Sequence, residues 1–386
     1  MTRPAFSLSE EQELFARSVR EFAEERVGPR AAQVDDSDEF PWDLHKALVE
    51  QGLLGVGLPE ELGGSGGGPV DVCILVEELA RVSGGVSLIP LVNRLGAIPI
   101  LLAGSERQRR ETVEGISSGA HQYSYCLTEP GSGSDAAAMR SRATPEGEGW
   151  SISETKRFIT NAGISDRYVY FAVTSPDRPK GKNITAFLLH GDMEGFALGK
   201  SEKKMGIRGS PTREVILDGV RVGPDAVIGD VDAGFQVAMR TLDYARPTVA
   251  AQALGLAQGA LDYAVAYARE REQFGHPIAE FQGIQFMLAD MAMAVEAARL
   301  LTYRAASMVE VGAPGVGYAA AVAKAFASDA AMRVTTDAVQ ILGGYGYVKD
   351  YPVERMMRDA KITQLYEGTN QIQRVVIARS LLKALR

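Results

Sequence analysis

The chain of 386 residues is too long for one small core and long enough for two or three domains. Its net charge of −8 argues against a polyanion such as nucleic acid as the main partner, while leaving room for a locally positive pocket. Two cysteines, Cys73 and Cys126, make no disulfide framework, and His45, His121, His190 and His276 lack ligand spacing; a reducing cytoplasm is expected and a metal site is not.

The opening MTRPAFSLSEEQ carries acids where a signal peptide would be apolar, and no run of about 20 apolar residues is evident, so neither export nor a membrane span is expected. Ser9 followed by Gln12 has the capping-box spacing, and Leu14, Phe15, Val19, Phe22 and Ala23 recur at helical intervals. Glycines 63, 64, 66, 67 and 68 read as a flexible turn; Pro69 stands where a dinucleotide fingerprint would need its last glycine. A helical stretch from Val70 to Val82 follows, with Val72, Leu75, Val76 and Leu79 apolar. An all-α domain over residues 1–120 is expected.

Short β-prone runs then take over: Tyr123 to Leu127, Trp150 to Ile152, Tyr168 to Thr174, Ile184 to Leu189 and Glu214 to Leu217, separated by turn clusters. They predict a β-domain, sandwich or barrel, over 121–230. Within it Asn183-Ile-Thr185 is a glycosylation sequon with no secretion signal to expose it, Ser201-Glu-Lys-Lys204 matches a serine–lysine pattern without its partner motifs, and Cys126 reads as a buried strand residue. From 231 to 386 long Ala- and Leu-rich segments return, broken near 275–277, 312–315 and 343–346, which fits a four-helix bundle. Pro247 predicts a kink or a helix start. The expected fold class is therefore multi-domain α+β: helical, then β, then a helical bundle.

The segment richest in chemistry is Tyr125-Cys-Leu-Thr-Glu-Pro-Gly-Ser-Gly-Ser-Asp135. An extended run enters a Pro-Gly turn where Gly131 and Gly133 permit close backbone approach, and Ser132 and Ser134 offer hydroxyls to phosphate oxygens. A plain Ser/Gly hairpin turn explains the same residues equally well.

That run resembles the signature of the acyl-CoA dehydrogenase family, and further resemblances follow in the family's order: Lys156-Arg-Phe-Ile-Thr-Asn161, Arg271-Glu-Gln-Phe-Gly275 with Phe281-Gln282, Gln340-Ile-Leu-Gly-Gly344, and Tyr366-Glu-Gly-Thr-Asn-Gln371. The likeness runs from about residue 8 to the end. It implies an FAD enzyme in which Tyr125, Leu127, Thr128, Phe158, Ile159 and Thr160 line the flavin ring, with Phe158 where the family often has tryptophan. Gly133 and Ser134 would approach the flavin or CoA phosphates. A neighbouring subunit would supply Arg271 to the flavin pyrophosphate, with Phe274, Gln282, Gln340, Gly343 and Gly344 completing the dinucleotide cradle and Thr369 and Gln371 on the adenosine-phosphate side. Asp243 and Arg246 match the family's CoA-contacting pair, and Tyr366 and Gly368 would flank the acyl group. A homotetramer, as a dimer of dimers, and an electron-transferring flavoprotein as electron acceptor are implied with them.

Alone, Glu367 reads as an acid in the first turn of a helix, favoured by the dipole. Within the motif the resemblance implies that it is the base that removes the α-proton of an acyl-CoA thioester. The other place where relatives carry a base holds Ala245, which takes no proton. A flavin oxidase, a desaturase of carrier-protein thioesters and a flavin-binding scaffold of little activity are the other readings of the same scaffold.

Overall fold

The computed structural model describes residues 8–384. Ser9 caps helix α1 (Glu10–Phe22): its hydroxyl accepts from Gln12 N, and the Gln12 side-chain oxygen accepts from Ser9 N. One π-helical turn over Ala23–Val27 leads into α2 (Gly28–Ser37), followed by α3 (Trp42–Glu50), α4 (Pro69–Ala80), α5 (Gly84–Ala103) and α6 (Glu106–Ser117). Pro69 takes the first position of α4, where its missing N–H costs nothing, so the residue that spoils a nucleotide fingerprint starts a helix instead.

Helix α5 corrects one expectation. Its 20 residues are long and apolar enough, by length and composition, to cross a membrane. Ser87, Asn93, Arg94 and two prolines hid that run in the sequence. Most of the helix is buried inside the fold, where Asn93 donates to Gln122 Oε1 and accepts from Tyr123 N. It is a core helix here.

The middle region is one eight-stranded sheet: β1 (Tyr123–Cys126), β2 (Arg142–Glu146), β3 (Gly149–Thr160), β4 (Arg167–Val173), β5 (Ile184–His190), β6 (Phe196–Leu198), β7 (Thr212–Val222) and β8 (Val227–Ile228), in the order β6-β7-β3-β2-β4-β5-β8 with β1 pairing β4. Strands β2 and β4 meet in parallel at a single residue pair, Arg142 with Val173. Along β4, Tyr168, Tyr170 and Ala172 face the β core shared with β3 and β7, while Val169 and Phe171 face the N-terminal helices. That period of two, buried on both sides, welds the β region to its helical neighbours.

The C-terminal region begins with α7 (Gly234–Glu270), 37 residues that continue without interruption through Pro247. Pro247 therefore does not start a helix; close packing on both sides carries the helix past the lost hydrogen bond. A two-stranded hairpin, β9 (Glu272–Gln273) with β10 (His276–Pro277), leads to α8 (Gln282–Glu310), α9 (Val316–Leu342), α10 (Val353–Thr363) and α11 (Asn370–Ala384). Alanines at helical spacing, such as Ala253, Ala257, Ala260 and Ala264 on α7 and Ala323, Ala327 and Ala331 on α9, let these helices lie close. Gly255 brings α7 against α4 so tightly that an added Cβ would sit 2.2 Å from Glu77 O. The helix–β–helix layout expected from the sequence is the one observed.

Candidate active site

The turn between α10 and α11 carries Tyr366, Glu367 and Gly368. Glu367 has φ +50° and Gly368 φ +91°, both left-handed; glycine adopts this freely, whereas glutamate there stores roughly 1 kcal/mol of strain. The turn is tied down on both sides of that strain. Tyr366 N donates to Ile362 O at 3.0 Å, its hydroxyl donates to Gln252 Oε1 of α7, and Gln373 Nε2 donates to Gly368 O at 2.8 Å. Gln252 in turn donates to Gly84 O and Ser87 Oγ of α5, so one amide joins the turn to the N-terminal helices.

The Glu367 residue is half-buried, but its Oε2 is buried with no hydrogen-bond partner. Burial lifts the carboxyl to about 7, against the pull of Lys324 and Arg246. Arg246, 5 % exposed on α7, donates to Asp243 Oδ1 at 2.6 Å, while its Nε is buried and unpartnered. Tyr125 of β1 lies in the same field; burial first, then Glu367, pushes its hydroxyl well above its ordinary range. The structure thus brings Glu367, Tyr366, Arg246, Asp243 and Tyr125 together.

Beside them is an apolar and hydroxylic platform. Leu127 and Thr128 follow β1, and the pairing of β3 with β7 slips between Lys156 and Ile159. This bulge turns Phe158 outward with φ +57° and 59 % exposed, under the Arg157 guanidinium at 5.0 Å. Ile159 departs from expectation: its side chain lies in the β core at 2 % exposure, so only its backbone can face a ligand. Thr160 is half-buried, its carbonyl accepting from Ser124 Oγ. The glycine turn after Thr128 is open, with no atom within 4 Å of a Cβ built at Gly131 or Gly133, and Ser134 is exposed. Ser132 is not free as expected, because its hydroxyl donates to Asp135 O at 2.6 Å.

Two residues beneath this platform escaped the sequence reading. Lys156, fully buried, donates to Glu129 Oε1 at 2.8 Å and to Leu127 O at 3.2 Å. Burial pushes the Glu129 carboxyl up, but Lys156 with the Ser141 and Arg140 amides brings it below its ordinary value. The pair clamps the 125–135 segment to β3. Its only sequence signal was that both residues stand inside the quoted motifs.

A second group lies elsewhere. Arg271, the C-cap of α7, stacks on Tyr345 at 5.3 Å and lines a cavity of about 480 Å³ with Ile278, Leu342, Gly343 and Gly344. No carboxylate pairs with Arg271 among the described residues. Phe274, at the hairpin tip with φ +54°, is 93 % exposed, edge-on to Phe281 at 6.1 Å. Gln282 opens α8 and Gln340 lies in the last turn of α9, both exposed. At about 1.5 Å per residue, Arg246 and Arg271 stand roughly 37 Å apart along α7. Among the described residues no hydrogen bond joins this group to Glu367. Thr369 and Gln371 stay with the first group: the Thr369 hydroxyl accepts from Ile372 N at 3.3 Å, capping α11, and Gln371 is exposed in its first turn.

These donors fit a flavin dinucleotide. A bare aromatic face sits among hydroxyls, two glycine turns stand open, and an unpaired guanidinium, the group best suited to a pyrophosphate, lies on an aromatic ring. A buried carboxyl poised near neutrality beside such a platform is the equipment of a flavin-dependent oxidoreductase that acts on a carbon acid. Sequence profiles agree: the acyl-CoA dehydrogenase N-terminal domain matches residues 9–120, the middle domain 124–220 and the C-terminal domain 232–382. The chain belongs to the acyl-CoA dehydrogenase family, an oxidoreductase that uses FAD. It is 51 % identical over 379 residues to the probable acyl-CoA dehydrogenase FadE25 of Mycobacterium tuberculosis, covering 98 % of this chain and 97 % of that one. Among solved structures it resembles butyryl-CoA dehydrogenase from Megasphaera elsdenii, at 42 % identity and TM-score 0.95 over 98 % of this chain and 100 % of that one. A chain in the structure described as "Electron transferring flavoprotein of Acidaminococcus fermentans: Towards a mechanism of flavin-based electron bifurcation" matches at 45 % identity and TM-score 0.95, again over 98 % and 100 %.

Proposed function

We propose that the chain oxidises a short or medium straight-chain acyl-CoA to its trans-2-enoyl-CoA, as in fatty-acid β-oxidation, with Glu367 as the base. The carrying observation is the buried, unpartnered Oε2 of Glu367, in a carboxyl lifted to about 7. A base of that strength is ionised often enough at neutral pH to take the α-proton and basic enough to hold it. The Glu367 amide N–H donates to no group among the described residues and is available to the thioester oxygen. One such donor contributes about 3–4 kcal/mol to a developing oxyanion elsewhere. When bound, the flavin accepts the β-hydrogen as hydride.

Arg246 and Asp243 on α7, with Ser134 across the glycine turn, are suited to the polar length of CoA, and Tyr366 and Gly368 to the thioester end. Tyr366 packs in one cluster with Ile74, Leu88, Leu91 and Val92, an apolar wall for the acyl tail. Tyr125, Leu127, Thr128, Phe158, the Ile159 backbone and Thr160 would hold the flavin ring, with Gly133 beside its phosphates and Thr369 and Gln371 on the adenosine side. Buried, unpaired Cys73 and Cys126 suit the cytoplasm. The similarity to a chain within an electron-transferring flavoprotein structure supports such a flavoprotein as electron acceptor.

Anaerobic addition of acyl-CoA thioesters of graded length tests this reading. Flavin bleaching is expected, fastest for short or medium chains, with a rate that climbs as pH rises through about 7, because the base works deprotonated. Absence of bleaching with every length would defeat it.

Arg271, Phe274, Gln282, Gln340, Gly343 and Gly344, remote from Glu367 in their own chain, support an assembly in which they complete a neighbour's cofactor site, a homotetramer built as a dimer of dimers. Arg271→Gln is expected to weaken FAD retention by roughly 10- to 100-fold, the range of a lost charged hydrogen bond. Dialysis against flavin-free buffer measures it; a monomer holding FAD tightly speaks against sharing.

A further inference from the structure

Lys324 lies in the middle of α9, wholly buried among Ala320, Ala321, Ala323, Ala325 and Ala327. An ammonium in such a stripe is costly, and an alanine or methionine would pack there without that cost. Its two hydrogen bonds both go to the turn after the base: Nζ donates to Gly368 O at 2.8 Å and to Asn370 Oδ1 at 3.0 Å. Asn370 is itself fixed, its amide donating to Ser328 Oγ at 2.8 Å and to Asp329 Oδ1 at 2.7 Å. Neither acceptor of Lys324 is a carboxylate. The acids whose fields reach it are Glu367 and Asp329, and Asp329 is already occupied by Arg374 at 2.7 Å.

We infer that Lys324 is a positioning residue for the base: its ammonium clamps the left-handed Glu367–Gly368 turn from behind, through Gly368 O and Asn370 Oδ1, and sets a positive charge against that turn. This rests on the reading of Glu367 as the base. The groups facing Glu367 are few: Lys324 and, behind it, Asp329 from α9; Arg246 with its partner Asp243 from α7; Tyr125 from β1; and Tyr366 beside it, which also feels Asp359 of α10. Burial pushes the Lys324 ammonium down to about 7 and the Glu367 carboxyl up to about 7, so the two titrate as a coupled pair. An ammonium at Lys324 favours the ionised form of Glu367, the form that can accept a proton from the substrate. The transferred proton passes from the α-carbon to a Glu367 oxygen, and Lys324 exchanges none.

The test uses the flavin-loaded enzyme with Lys324→Gln, which keeps donors for both carbonyls but removes the charge, and Lys324→Arg, which keeps the charge. The readouts are the pH profile of kcat/KM and the pH at which a β-thia acyl-CoA, with no β-hydrogen to give, loses its α-proton, seen as long-wavelength charge-transfer absorption with the flavin. Lys324→Gln is expected to move the acidic limb of both upward by about one unit, a roughly five-fold loss at pH 7 that recovers at pH 9. Lys324→Arg is expected to leave the limb in place. Unmoved limbs in Lys324→Gln, a uniform loss at every pH, or failure of both variants to fold with flavin would make Lys324 structural and overturn the inference. Glu367→Gln is run in parallel: if that variant still turns over, the reading of the base fails; if it is inactive while Lys324→Gln shows no shift, only the role of Lys324 fails.

Discussion

Replacing Glu367 by Gln is expected to leave FAD bound and to slow flavin reduction by acyl-CoA by at least about 10²–10⁴-fold, the usual contribution of a positioned general base. The amide keeps the shape of the side chain and the backbone donor at 367, so binding survives while proton transfer does not. No neighbour substitutes: Ala245 has no proton acceptor, and Asp243 is held by Arg246. Stopped-flow bleaching measures the loss, and a rate within about threefold of the parent would remove the mechanism. The same substitution has an opposite effect on stability. The carboxyl has an ordinary value of 4.5 and sits at about 7 in the fold. Between those values the folded protein retains a proton that the unfolded chain has lost, so the parent loses stability as pH rises from about 4.5 to 7 and stays at that lower level above. Glu367→Gln escapes the loss, so its thermal midpoint should exceed the parent's at pH 8 and approach it at pH 4.5.

Lys156→Met should be the most damaging single change to the flavin platform. It strips the ammonium from a carboxylate that is 7 % exposed and leaves Glu129 with only the Arg140 and Ser141 amides. Breaking a buried pair from one side costs about 3–5 kcal/mol, because the remaining charge is uncompensated. The thermal midpoint and flavin content are expected to fall together, since the pair joins the 125–135 segment to β3. Adding Glu129→Gln should restore part of the loss by removing the orphaned charge. A drop no larger than a surface substitution, about 0.5 kcal/mol, would show that the clamp contributes little.

Local signals in the sequence were faithful where the physics is local. The Ser9 cap, the apolar face of α4 and the β-prone runs that became β4 and β5 depend on neighbours within a turn or a strand. Arg142–Glu146 was not recognised as a strand because four of its five residues are exposed and Pro145 interrupts it; its partner β3 determines it. Pro247 does not start a helix because the packing of α7 carries the helix past it, which a rule for isolated helices does not include. The turn that carries Glu367 was visible only as a motif. What makes its carboxyl unusual is burial beneath α7 and α9, and the groups responsible are far off in sequence: Gln252 is 114 residues from Tyr366, and Lys324 is 44 from Gly368. Periodicity carries no trace of such pairings.

In the proposed reading, the base and the groups assigned to the acyl tail occupy different pieces of secondary structure. Glu367 hangs from the α10–α11 connection, whereas Ile74, Leu88, Leu91 and Val92 sit on α4 and α5, in one cluster with the ring of Tyr366. On that reading, trimming or extending one aliphatic side chain on those two helices is expected to change discrimination between thioesters by about 1–3 kcal/mol per methylene. A lineage built on this plan can therefore revise its diet one methyl group at a time while the machinery that pulls the hydrogen away stays untouched.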